Sequence, residues 1–289
     1  MIRALAIALA AALVSSVSEA QADPTPSTGV IAYARVTDGY WQIWTYDLAT
    51  GISTQRTTSA FDKRDPSWRS DGGLTFRTHN NEIFALDPNQ TEATPFRKDI
   101  WPAFDPAGAP ADARIAVAKM QSDVRDASAI WIVGAKRGDQ RVLTRGPGFW
   151  THPDWSSDGK RLLYIRSFGY QGSELRTISV ADGREDLVLK ESAHTVQPKW
   201  SPDDSAIAFA SDRSGDYELY VRDVATGTER QLTDHEGLDL RPTWAPGGSR
   251  IAYTSFRDGK LEIWTVARDG SDAARLFACD TDASDPAWR

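Results

Sequence analysis

Residues 198–244 read PKWSPDDSAIAFASDRSGDYELYVRDVATGTERQLTDHEGLDLRPTW, and this stretch decides the fold. After Trp200, Ser201-Pro202-Asp203-Asp204 is a turn, because proline fixes φ and the aspartates hydrogen-bond back to the backbone. Ile207-Ala208-Phe209-Ala210 is short, apolar and bounded by polar residues, the signature of a strand. Residues 212–216 form a loop, Glu218-Leu219-Tyr220-Val221 a second strand, Ala225-Thr226-Gly227-Thr228 a hairpin turn, and Arg230-Gln231-Leu232-Thr233 a third strand. A fourth strand, around Pro242 and Trp244, opens the next unit. Four short strands in about 44 residues make one blade of a β-propeller.

The phrase that opens this unit recurs along the chain. It reads Pro66-Ser67-Trp68, Pro102-Ala103-Phe104, Pro153-Asp154-Trp155, Pro198-Lys199-Trp200, Pro242-Thr243-Trp244 and Pro286-Ala287-Trp288, spaced by 36, 51, 45, 44 and 44 residues. Six apolar triads run from Ile31-Ala32-Tyr33 to Ile251-Ala252-Tyr253, and a further set runs from Ile43-Trp44 to Ile263-Trp264. A module this short cannot bury its own apolar face and must stack on its neighbours. The chain ends on the first strand of a unit it never completes, and its first strand, at Val30, is the second of a unit lacking its first. The sequence therefore predicts an all-β, six-bladed propeller of four-stranded antiparallel blades over residues 30–289. Its ring is closed by the C-terminal strand pairing into the N-terminal blade, which removes an exposed edge.

Before the propeller, Arg3, the uncharged stretch Ala4 to Val14 and the small residues of Ala20-Gln21-Ala22 have the layout of a secretory leader. Residues 1–22 are expected to be removed near Ala22-Asp23, leaving 23–29 as a short tail and a periplasmic or secreted product. The apolar stretch falls short of the ~20 residues of a membrane span, so no membrane insertion is expected after cleavage. The net charge of −7 is well mixed along the chain and argues against nucleic acid or anionic lipid as partners. Cys279, the single cysteine, cannot form an internal disulfide and reads as a small packed side chain. A monomer resting on its own core is expected.

The pattern P-x-W-S-P-D-G, then I-A-F/Y, then E-I-W/Y, then a basic residue with L-T, resembles the repeat of the TolB-type six-bladed propeller. It is clearest at Pro198 to Asp203, Glu218 to Tyr220 and Arg250 to Trp264, and the resemblance covers residues 29–289. It implies a periplasmic, non-catalytic interaction protein of the Tol-Pal system that docks a cell-envelope partner such as a peptidoglycan-associated lipoprotein. TolB also carries an N-terminal α/β domain, for which residues 23–29 leave no room. Similar repeats occur in propellers of some prolyl peptidases and in oligogalacturonate lyases, so fold alone does not choose the function. No G-x-S-x-G elbow marks a hydrolase.

Ligands of propellers usually sit over the central channel, on the face where the innermost strands begin. Trp101 and Trp150, large apolar side chains in connections into those strands, are the expected anchors of a partner or a sugar. Asp239, Arg241, Arg213 and Arg257 are expected to supply the charged rim around them. His152, His194 and His235 fall on three successive connections; converging, they could hold a divalent metal, the one cofactor the sequence allows. That convergence is the condition for the alternative reading, a metal-dependent lyase of acidic oligosaccharides. A sugar-binding module would need the tryptophans alone. No serine is marked as a nucleophile, and the primary expectation is a protein without catalysis or cofactor.

Overall fold

The computed structural model describes residues 28–121 and 127–289, so the expected leader lies outside the described residues. Six four-stranded antiparallel sheets stand around a central channel. Blade 1 holds Val30–Thr37, Tyr40–Asp47 and Ile52–Gln55, with Ala283–Trp288 as its innermost strand. Blades 2 to 6 begin with the innermost strands Lys63–Trp68, Ala103–Gly108, Phe149–Trp155, Thr195–Trp200 and Asp239–Trp244. Each then runs outward to an edge strand, which shrinks to two residues at Thr94–Pro95 and at Ala274–Arg275. The only helical pieces among the described residues are two 3₁₀ turns, Lys98–Ile100 and Gly169–Gln171, and no helix is long and apolar enough to cross a membrane.

The expected closure is present. Ile31 pairs with Trp288, Ala32 with Ala287, Ala34 with Ser284 and Arg35 with Ala283, and Val30 and Arg289 exchange backbone bonds of 2.8 and 2.9 Å. The core lies between blades rather than within them. The triads predicted as strands are buried, and clusters such as Ala208, Leu219, Trp244, Ile251 and Tyr253 fill the seam between one blade and the next. Burial of such side chains, worth ~1.5–3 kcal/mol each, holds together blades that, among the described residues, share no strand ladder with one another.

Each innermost strand carries the same bulge. The register against the second strand skips two residues, an X-Pro pair, at 65–66, 105–106, 152–153, 197–198, 241–242 and 285–286. In all six the residue before proline has a left-handed backbone: Asp65, Asp105, His152, Gln197, Arg241 and Asp285 have φ between 51° and 58°. Proline has no N–H to lose from the ladder, so the bulge costs no ladder hydrogen bond there.

This repeat corrects the sequence reading of blade 3. The expected phrase was Pro102-Ala103-Phe104, but the proline that occupies the bulge is Pro106, and Gly108 pairs with Ile115 as Trp68 pairs with Leu74. The spacings of the true phrase are 40, 47, 45, 44 and 44 residues, more even than those first read. Gly108 stands at the aromatic position because nothing larger fits: a Cβ there would lie 2.1 Å from the carbonyl oxygen of Trp68.

The six seams are of two alternating kinds. Where blades 2, 4 and 6 meet the blade before, the N–H groups of Asp65, His152 and Arg241 donate to side chains of Asp285, Asp105 and Gln197, at 3.1, 3.0 and 2.8 Å. At the same seams the indoles of Trp68, Trp155 and Trp244 donate to the carbonyls of Ala287, Ala107 and Lys199. Where blades 3, 5 and 1 meet the blade before, the N–H groups of Gly108, Trp200 and Trp288 donate to Ser67, Asp154 and Thr243, at 3.0, 2.9 and 3.1 Å. Acceptor side chains thus alternate from just before the proline to just after it.

Candidate functional site

The bulges aim six side chains at the axis, where Asp65, Asp105, His152, Gln197, Arg241 and Asp285 line a narrow cavity of about 110 Å³. Half of this ring is a closed ion network. Arg241 pairs with Asp65 and, at 2.9 Å, with Asp285; Arg64 reaches Asp285 at 2.6 Å and Arg77 reaches Asp65 at 2.8 Å. Burial alone would raise the two carboxyls, but Arg241, with Arg64 beside Asp285 and Arg77 beside Asp65, outweighs it and holds both below the ordinary range. Burial disfavours the Arg241 cation, yet Asp285 and Asp65 more than compensate and raise its pKa. The other half holds Asp105, His152 and Gln197. His152 Nε2 lies 3.9 Å from Asp105, and its Nδ1 lies 3.0 Å from the Thr151 hydroxyl. Burial lowers the His152 pKa despite the neighbouring carboxylate, which favours a neutral ring.

The three histidines do not converge. His194 places Nδ1 2.9 Å from Asp212 and Nε2 3.1 Å from the Gly169 carbonyl, so both nitrogens are engaged inside the protein. The Asp212 hydrogen bond, followed by that of Gly169, raises its pKa, which favours the imidazolium. His235 belongs to a separate connection, its N–H donating to Glu218 at 2.8 Å. Among the described residues no three His, Cys, Asp or Glu side chains are grouped to hold a metal ion. The sequence put the three rings in one place because successive connections share a face, but His152 faces the channel while both ring nitrogens of His194 are engaged by Asp212 and Gly169.

The expected anchors separate. Trp101 is 59% exposed, its indole donating to the Asn80 carbonyl at 2.8 Å. Trp150 is only 2% exposed and packs with Trp155, Tyr164 and Ile178, with the Arg166 guanidinium 5.0 Å from its ring. Trp150 is therefore core, because its strand starts one residue earlier, at Phe149, and turns the indole into the seam between blades 3 and 4. Asp239 is also off the rim: it is fully buried, with Ser255 Oγ at 2.6 Å and Arg257 3.9 Å away. Arg257 lies over Trp264 at 3.8 Å, and Arg213 bridges Glu191 and Glu229 at 2.7 and 2.5 Å. Arg241 belongs to the channel rather than the rim.

What the rim carries instead is aromatic. Tyr40, Trp101, Phe149, Tyr170 and Phe256 are the exposed large aromatics among the described residues, with Leu238 between them. All sit where innermost strands begin or where second strands turn into third strands, and these places share one face of the ring. Tyr170, on its 3₁₀ turn, is completely exposed. Of the channel residues, Asp65, Asp105, Gln197 and Asp285 were not among the expected site residues. The signal was available in the residue before each bulge proline, polar in all six blades.

The family model of the TolB beta propeller domain matches residues 113–289, more than half of the sequence, and the chain belongs to that family. The crystal structure of TolB from Acinetobacter baumannii superposes with a TM-score of 0.77 at 17% identity, over 90% of this chain and 66% of that one. An oligogalacturonate lyase in complex with manganese gives 0.58 at 16% identity, over 82% and 85%. At such identities the likeness is one of fold. An uncharacterized peptidase, YuxL, of Bacillus subtilis (strain 168) is 33% identical over 106 residues, which is 36% of this chain and 16% of that protein. The chain thus spans only a part of the curated relative it matches.

Proposed function

We propose that the protein is a periplasmic, non-catalytic interaction propeller that docks a cell-envelope protein of the peptidoglycan-associated lipoprotein kind. The observation that carries this reading is the segregation of every exposed aromatic to one face: Tyr40, Trp101, Phe149, Tyr170 and Phe256. Aromatic side chains give large contact area for little lost rotamer freedom, and they dominate the energetics of protein interfaces. The channel below that face favours the same reading. Two of its three carboxylates are held in ion pairs with arginines and are committed to the ring itself.

The test is calorimetric titration of the mature protein with the purified peptidoglycan-associated lipoprotein of the same organism. Binding in the micromolar range or tighter is expected. A Trp101→Ala/Tyr170→Ala double variant should bind at least ~10-fold more weakly with unchanged thermal stability. Equal affinity of variant and wild type would refute the assignment of the face.

A further inference from the structure

On the opposite face, where the hairpins of blades 5 and 6 turn, a groove of about 820 Å³ opens between the two blades. Its floor is Arg250, the first residue of the second strand of blade 6, which is only 7% exposed. One of its terminal nitrogens donates to the Asp272 carbonyl at 2.7 Å and the Thr265 hydroxyl at 3.2 Å. Its Nε is buried without a partner, and its Nη1 makes no hydrogen bond within the described residues. No carboxylate pairs with it there. A guanidinium taken out of water without a counter-charge is costly, and such groups are ordinarily paired. The equivalent residue of blade 4, Arg161, is exposed and has Asp204 at 4.0 Å.

The acids around the groove are committed elsewhere. Glu229 is held by Arg213 and Arg222 at 2.5 and 2.7 Å. Asp223 accepts the Thr226 N–H at 2.8 Å and Asp269 the Ser271 N–H at 3.0 Å, each closing its own hairpin, while Asp272 is exposed to solvent. Two further guanidiniums line the same groove. Arg268 donates to Ser205 at 2.9 Å and lies 3.8 Å from Asp203, and Arg230 donates to the Asp269 carbonyl at 3.2 Å.

We infer that this groove is a binding site for a ligand carrying one oxyanion, a carboxylate or a phosphate, seated on the free Nη1 of Arg250 with Arg268 beside it. A guanidinium N–H suits either group, and charge-assisted bonds in a partly buried site are the strong ones. The acidic hairpin ends admit a single anionic group but repel a polyanion, so nucleic acid and acidic polymers are excluded from the same pocket. The site lies on the face away from the aromatics, and its occupancy is independent of the docking reading.

The full chain is titrated with acetate and, separately, with inorganic phosphate, against chloride at constant ionic strength, by ligand-observed NMR and thermal melts. Saturable binding of one of the two is expected, and which one identifies the headgroup chemistry. Arg250→Met should weaken it by at least ~10-fold and abolish the ligand-dependent rise in Tm. Without ligand, Arg250→Met should melt at or above the wild-type temperature, because it removes an unpaired buried charge, whereas a purely structural arginine would lower it. If that variant does not fold, Arg268→Ala, on a half-exposed residue, should still weaken binding severalfold. Absence of saturable binding to either anion, or unchanged affinity in a folded variant, overturns the inference.

Discussion

Replacing Arg241 by Met removes the one cation shared by Asp65 and Asp285 while keeping a side chain of similar length. Both carboxyls keep a second arginine, Arg77 at 2.8 Å and Arg64 at 2.6 Å, so the loss falls at the low end of the range for breaking a buried pair, ~3 kcal/mol near pH 7.5. For a domain of this size that corresponds to a fall in Tm of roughly 6–12 °C. The sign of the pH dependence is the sharper test. In the wild type the Asp285 and Asp65 pKa values are depressed by the arginines, so their stabilisation is present above the ordinary carboxylate pKa. It is lost as pH falls through the depressed folded values. In Arg241→Met two buried carboxylates face each other across the axis with one cation fewer, and one of them takes up a proton more readily. The difference between variant and wild type should therefore shrink between pH 7.5 and pH 5, by ~1.4 kcal/mol for each unit by which the raised carboxyl pKa exceeds 5. Urea unfolding followed by tryptophan fluorescence at both pH values measures this. A deficit under about 1 kcal/mol at pH 7.5, or one that does not change with pH, would show that the ring is held by its bulges and not by its charges.

The remaining expectations concern single positions. Gly108→Ala drives a methyl to within 2.1 Å of the Trp68 carbonyl and should cost ~1–3 kcal/mol in urea unfolding. Gly247→Ala, which meets nothing within 4 Å, should be neutral or stabilising by ~0.4–1 kcal/mol. Trp150→Ala, in the seam between blades 3 and 4, should lose ~3–5 kcal/mol, whereas Trp101→Ala should stay within ~0.5 kcal/mol on the same measurement. Lys63 is buried with its ammonium on the Ser59 and Phe61 carbonyls at 2.6 Å, and burial lowers its pKa to about 8. The unfolded chain holds that proton up to its ordinary pKa near 10.5, so wild-type stability should gain up to ~3 kcal/mol between those two values. The gain should be absent in Lys63→Met; parallel pH profiles for the two proteins would exclude the effect.

The strands and the closure were legible because they depend on period and alternation, which survive in the letters. Blade 3 was misread because Pro102 and Phe104 imitate the phrase, while the true bulge, Asp105-Pro106, ends on a glycine that no search for an aromatic would select. What makes Gly108 necessary is the proximity of the preceding blade's backbone, and that contact has no local sequence signal. The candidate site was harder to read. Trp101 and Trp150 look alike in sequence, and only the start of one strand decides that the first is exposed and the second buried. The histidines were grouped by topology, but ring size and local hydrogen bonds such as His194–Asp212 keep them apart. The channel residues stood in view before each proline, but their charges balance only in three dimensions, where Arg241 meets acids 176 positions before it and 44 after it.

The alternation of the seams has a consequence for how such a ring can grow. Acceptors before the proline (Asp285, Asp105, Gln197) and after it (Ser67, Asp154, Thr243) take turns around the axis, so the repeating object is a pair of blades. Parity follows. An odd count would bring two like edges together and leave one seam without its matching side-chain acceptor. Six is then a natural closure for this sequence in the way that an even number of members closes any two-coloured ring.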